Sequence, residues 1–166
     1  METYWGLYIA WSFGFLMLST TLLAPFLKRK YGFLLGIILY ALVDITMSRV
    51  GIWTLTSAFA WGLAGWWMAT RQPSGSFKTF LGMSVAGTLL FDFVSGPIFG
   101  SWLWRMPFEV ALIGQIPFTM SHLIGNVVVT GIFAPIIYPL IAGNKQFASF
   151  ISKYKIAKPT AFKQEA

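Results

Sequence analysis

Long apolar runs broken by short clusters of charge make up most of this chain. Five stretches stand out: Tyr4–Leu27, Tyr31–Met47, Ile52–Thr70, Phe80–Ser95 and Phe118–Ala142. A bilayer crossing takes roughly 20 apolar residues, so the second and fourth are short for one. A further apolar piece, Met106–Gly114, is too short to span and reads as re-entrant or interfacial, within a connection near residues 101–116. The pattern predicts an all-α, polytopic transmembrane bundle of five to six spans.

Polar residues interrupt the runs at helical spacing. Gln115, Thr119, His122, Asn126 and Thr130 recur every three to four residues, which on a helix places them on one face. Ser84, Thr88 and Asp92 form a second stripe, and Tyr40, Asp44 and Ser48 a third. Polar side chains at bilayer depth are costly and line protein interiors or water-filled cavities.

Composition strengthens the membrane reading. The chain has 166 residues, 57% hydrophobic and 10% charged, with mean hydropathy +0.69. Soluble domains carry about 25% charged residues. Eight Trp suit rings placed at lipid interfaces. The chain has no Cys, which excludes disulfides and thiol chemistry. The N-terminus lacks a basic region and a small-residue cleavage site, so a removable signal peptide is not expected.

Charge sets the expected orientation. Lys28, Arg29 and Lys30 follow the first span, Arg71 and Lys78 the third, and Lys145, Lys153, Lys155, Lys158 and Lys163 the fifth. Only Arg49 and Arg105 fall on the other side. Basic residues are retained in the cytoplasm, so this alternation predicts five crossings, N-terminus outside and C-terminus cytoplasmic. The net charge of +7 thus points to the inner leaflet rather than to nucleic acid. Residues 1–144 read as one integral membrane domain and 145–166 as a basic cytoplasmic tail suited to anionic lipid. Pro135 and Pro139 are expected to bend or loosen the last span.

On this map Asp44, Asp92, His122 and Asn126 all fall within roughly 5–12 Å of the outer boundary, at ~1.5 Å per residue. The convergence predicts an outward-opening cavity walled by Trp53, Trp102, Trp104 and Phe118, with Asp92, Gln115, His122, Asn126, Thr119, Arg105, Glu109 and Asp44 as candidate substrate-binding residues. Plainer roles stay open. Asp92, beside Ser95-Gly96-Pro97, equally fits a helix-end cap, and Asp44 fits a side chain reaching out to water. His122 also fits a satisfied interior histidine. Arg105 and Glu109, four apart, fit a surface ion pair. Ala60-x-x-x-Ala64 fits plain helix packing. Enzyme chemistry is not expected: there is no H-x-x-x-H metal spacing, nucleophile elbow or phosphate loop, and no cofactor is implied.

Phe91-Asp92-Phe93-Val94-Ser95-Gly96-Pro97, Gly114-Gln115-Ile116-Pro117-Phe118-Thr119, His122-Leu123-Ile124-Gly125-Asn126 and Ala134-Pro135 resemble the C-terminal half of the substrate-binding S components of energy-coupling factor (ECF) transporters. The likeness is to prokaryotic, particularly archaeal, members and covers about Gly82–Ile141. It implies capture of a vitamin or similar micronutrient from outside. It also implies delivery through a transmembrane coupling subunit and a pair of ATPases. Carried onto this chain, it favours Asp92, Gln115, His122 and Asn126 as ligand contacts. The family has six spans with both termini inside and a small-residue docking face on its first helix. This chain counts five spans and carries Ala60-x-x-x-Ala64 on the third. The alternative from another class is a structural or accessory scaffold subunit of a larger membrane complex.

Overall fold

The computed structural model describes residues 2–47, 50–72, 74–154 and 156, with 2–11 as backbone only. Ser48 and Arg49 lie outside these, as do Lys155, Lys158 and Lys163. The described chain is all-helical. Helix α1, Glu2–Leu23, ends where Pro25 tightens Ala24–Phe26 into a 3-10 turn. Helices α2, Arg29–Thr46, and α3, Ile52–Met68, follow. The start of α3 is fixed by Thr54, whose hydroxyl accepts the Gly51 N–H at 3.0 Å.

Helix α4, Phe77–Phe93, does not stop at Ser95-Gly96-Pro97 as the sequence predicts. A π-helical turn, Val94–Ile98, carries the chain through Pro97 into α5, Phe99–Trp104. A proline ring clashes with the carbonyl four residues back, and the wider π turn relieves that clash without ending the helix. Arg105 then adopts a left-handed backbone (φ 51°) and turns the chain into α6, Phe108–Ala142.

Two expectations are corrected here. The piece near 101–116 is neither re-entrant nor a separate interfacial element. Its first part is α5, and Met106–Gly114 leads into the opening turns of α6. The last apolar run therefore begins at Phe108 rather than Phe118. At ~1.5 Å per residue α6 is roughly 52 Å long, more than the ~30 Å of a hydrocarbon core. Pro117, Pro135 and Pro139 all lie inside it. Among the described residues two continuous stretches are long and apolar enough to cross a membrane, Phe77–Trp104 and Phe108–Ala142.

Small residues set the packing. On α2 and α3, backbones touch. A Cβ at Gly36 would meet the Trp61 carbonyl, and one at Gly65 would meet the Gly32 carbonyl. Ala60 and Ala64 are fully buried, so the small-residue face of α3 is spent on packing inside the bundle and offers no external docking face. Trp61 sits at the centre with no exposed surface. Its Nε1–H donates to Thr20 Oγ1 at 2.9 Å and ties α3 to α1.

The long helix α6 is turned inside out relative to a water-facing helix. Its outer stripe is apolar: Ile116, Met120, Ile124, Val128, Ile132, Ile136 and Leu140 are all exposed. Its inner stripe holds Asn126 and Thr130, both buried. On α2, Leu34, Ile38, Leu42 and Ile45 repeat the exposed apolar pattern. The basic residues gather at the other helix ends. Lys28, Arg29 and Lys30 open α2, Arg71 and Lys78 flank the α3–α4 connection, and Lys145 and Lys153 lie in α7, Lys145–Lys153. The tail is thus helical at its start and fastened to the bundle. Ile151 is buried, Phe147 packs edge-on against Phe26 with ring centroids 6.2 Å apart, and the Lys28 N–H donates to the Ile156 carbonyl at 2.9 Å.

Candidate functional site

The outer ends of α2, α3 and α4, the inner face of α6 and Phe13 of α1 enclose a cavity of about 420 Å³. Helix α2 contributes Tyr40, Val43, Asp44 and Met47. Trp53 enters from the first turn of α3, Phe91 and Asp92 from α4, and Ser95 from the π turn. Helix α6 supplies Gln115, Phe118 and His122. The helical period explains the selection: residues 40, 44 and 47 share a face of α2, and 115, 118 and 122 share a face of α6.

Asp92 and His122 meet across the seam between α4 and α6. His122 Nδ1 lies 2.7 Å from Asp92 Oδ1. The Asp92 residue is 1% exposed, whereas the His122 side chain keeps 12% of its surface. The carboxylate accepts the Nδ1–H, which fixes the ring orientation and leaves Nε2 for another partner. Phe13 stacks on the imidazole, centroids 4.5 Å apart and planes 24° from parallel. Behind these rings Phe91 packs against Trp61 at 4.7 Å and Tyr40 at 5.8 Å, giving the cavity an aromatic floor.

A polar ladder descends from this pair. One turn down, Asn126 Nδ2 donates to Thr88 Oγ1 at 2.7 Å, and the Thr88 hydroxyl donates to the Ser84 carbonyl at 2.7 Å. Each step of four along α4 is matched by a step of four along antiparallel α6. The same register brings Ser84 level with Thr130, both fully buried. Five buried oxygens have no hydrogen-bond partner among the described residues: Asp92 Oδ2, Asn126 Oδ1, and the hydroxyls of Ser57, Ser84 and Thr130. Buried polar atoms are nearly always satisfied, so a cluster of orphaned oxygens marks where a further donor belongs.

The structure sorts the residues singled out from sequence. Asp44, Asp92, Gln115 and His122 share the cavity. Asn126 lies one rung below it, within the seam. Thr119 faces a separate groove of about 210 Å³ on the other side of α4, together with Leu89, Phe93 and Met120. Asp92 and Gln115 touch both spaces. Arg105 and Glu109 are exposed and line neither. They also form no ion pair, because Arg105 sits in the left-handed turn outside the helix that holds Glu109. Glu109 instead occupies the first turn of α6, where a negative charge is favourable to the helix dipole.

Two of the four expected aromatic walls are present, Trp53 and Phe118. Trp102 and Trp104 are not: they are 72% and 61% exposed on the outer face of α5. The sequence reading did not find Phe13 or Phe91, and had placed Tyr40 only on a face with Asp44. In a chain that is 18% aromatic, one phenylalanine within an apolar run carries no local signal of facing a cavity. Among the described residues no group of three or more His, Asp or Glu is placed to hold a metal.

Comparison with models of known families, with curated proteins and with solved structures finds no match for this chain.

Proposed function

We propose that this chain is a multi-pass membrane protein that captures a small molecule in an outward-facing cavity. In this reading it is the S-component-like binding subunit of an uptake system, with N-terminus outside and C-terminus cytoplasmic. One observation carries the reading. Asp44, Asp92, Gln115 and His122, drawn from three helices, converge with Trp53 and Phe118 on one cavity. A cavity of about 420 Å³ lies within the size range of small-molecule sites, roughly 300–1,000 Å³.

The surroundings support a membrane setting. Helix α6 exposes its apolar stripe and buries its polar one, the arrangement expected where lipid replaces water outside. The basic residues lie at the helix ends opposite the cavity, so the positive-inside tendency places the cavity at the outer surface. The likeness of residues 82–141 to ECF S components supports uptake, with a coupling subunit and an ATPase pair as partners. The docking face for such partners is not the buried Ala60/Ala64 face.

The test is a thermal-shift screen of purified protein against vitamins and their precursors, with cellular uptake of any hit. His122→Ala and Asp44→Asn are expected to lose the shift and the uptake. The reading fails if no compound shifts wild type and both variants match it in uptake. Co-purification with wall-synthesis or respiratory subunits, rather than with ATPases, would instead favour the scaffold alternative.

A further inference from the structure

The charge of the cavity lining defines a class of ligand. Its ionisable side chains are Asp44, Asp92 and His122, with Tyr40. Among the described residues no Lys or Arg lines it. If His122 carries a proton it balances Asp92, and Asp44 remains; if it is neutral, both carboxylates remain. The balance is anionic in either state.

Neither carboxylate is fully partnered. Asp92 gives Oδ1 to His122 and keeps Oδ2 buried with no partner among the described residues. Asp44 is 8% exposed and makes no hydrogen bond or ion pair among them. A buried carboxylate without a counter-charge is costly, and a cationic ligand removes that cost on binding. The rest of the lining favours the same charge. Aromatic rings attract cations through their negative faces, and Trp53, Tyr40, Phe91 and Phe118 surround the two acids. An anion would meet repulsion from Asp44 and little but an amide, two hydroxyls and one ring nitrogen in return. A neutral molecule would leave Asp44 uncompensated. A bare metal ion would leave most of the volume empty, and no three-ligand cluster is present among the described residues.

Resting on the capture reading above, we propose that the cavity selects a small organic cation, an amine or quaternary ammonium. Its charge is countered by Asp44 and by the free Oδ2 of Asp92, and its apolar body lies among Tyr40, Trp53, Phe91 and Phe118.

The experiment uses purified full-length protein and matched probes that differ in charge at similar shape. The pairs are choline with 3,3-dimethylbutan-1-ol and benzylamine with benzyl alcohol. Benzoate is the anion and sodium chloride the ionic-strength control. The cations are expected to raise Tm and the neutral partners to bind at least about tenfold more weakly, the loss of a close charge pair. Asp44→Asn is expected to raise the Tm of the ligand-free protein, since it removes an unpaired buried charge, while abolishing the response to cations. That opposite movement separates a binding role from a folding defect.

Equal protection by the neutral partners or by benzoate overturns the cation proposal. An unchanged cation response in Asp44→Asn overturns it too. In either case the capture reading survives if the protection disappears in His122→Ala. Failure of every probe to move wild-type Tm, with ligand-free Asp44→Asn no more stable than wild type, overturns both.

Discussion

His122 and Asp92, thirty residues apart, meet across the α4–α6 seam at 2.7 Å and join the cavity to the polar ladder beneath it. Above the pair lie Tyr40, Asp44 and Trp53, and below it Asn126 and Thr88. A side chain in this position has two tasks, closing the floor of the cavity and satisfying a carboxylate that is nearly out of reach of solvent.

Removing the imidazole separates those tasks. His122→Ala leaves both Asp92 oxygens without a partner among the described residues, and a loss of about 1.5–3 kcal/mol is expected, the range for a hydrogen bond to a charged group. His122→Gln, whose amide can donate to the same carboxylate, should recover part of that stability. Equilibrium unfolding in detergent measures both. Equal losses in the two variants would show that the hydrogen bond does not set the cost.

The next rung predicts a non-additive pair. Asn126→Leu removes the donor to Thr88, and Thr88→Val strands the Asn126 amide, so each single change is expected to cost about 1–3 kcal/mol. The double variant replaces both partners with apolar groups and should cost less than the two singles together. A double-mutant cycle on unfolding free energy reads the coupling directly. Strict additivity would mean the two side chains act independently.

Helices α2 and α3 depend on backbone contact. Gly36→Leu forces a side chain into the Trp61 carbonyl, and Gly65→Val forces one into the Gly32 carbonyl. Neither obstacle is a flexible side-chain end, so each should cost at least the ~1–3 kcal/mol of core overpacking. Gly82→Ala, where a Cβ meets nothing within 4 Å, is the matched control and should be neutral or stabilising. Thermal unfolding of the three variants compares them.

Orientation is open to labelling because the chain contains no Cys. Met106→Cys lies in the turn between α5 and α6, and Ser76→Cys lies just before α4, at opposite ends of the Phe77–Trp104 stretch. In intact cells a membrane-impermeant maleimide should label Met106→Cys directly and Ser76→Cys only after permeabilisation. The reverse pattern would turn the cavity toward the cytoplasm and remove the basis for capture from outside.

Much of the bundle was legible along the chain. The apolar runs locate α1 to α4, and the breaks at Pro25 and Gly51 fall where helices end or begin. The stripes Ser84, Thr88, Asp92 and His122, Asn126, Thr130 face the interior as their spacing requires. Helical period is a local property, and so is the cost of turning a polar side chain toward an apolar surround. Those two facts need no knowledge of the partner helix.

What the chain alone left open depends on how helices cross. The pairing of Asp92 with His122 and of Thr88 with Asn126 is a register between elements thirty or more residues apart, set by how closely the helices approach. Thr119 belongs to the same stripe by spacing, yet α4 lies over the stripe and divides it, leaving Thr119 in the outer groove. Pro97 reads as a helix end, but a π turn lets the helix pass, which carries Trp102 and Trp104 away from the cavity. The sequence by itself determined which residues are helical, which faces are polar and where the charges lie, because these follow from neighbours within one or two turns. Tertiary structure alone decided which polar faces meet, and that Phe13, Tyr40 and Phe91 close around Asp92 and His122, because the contacts between helices are set by packing across the bundle.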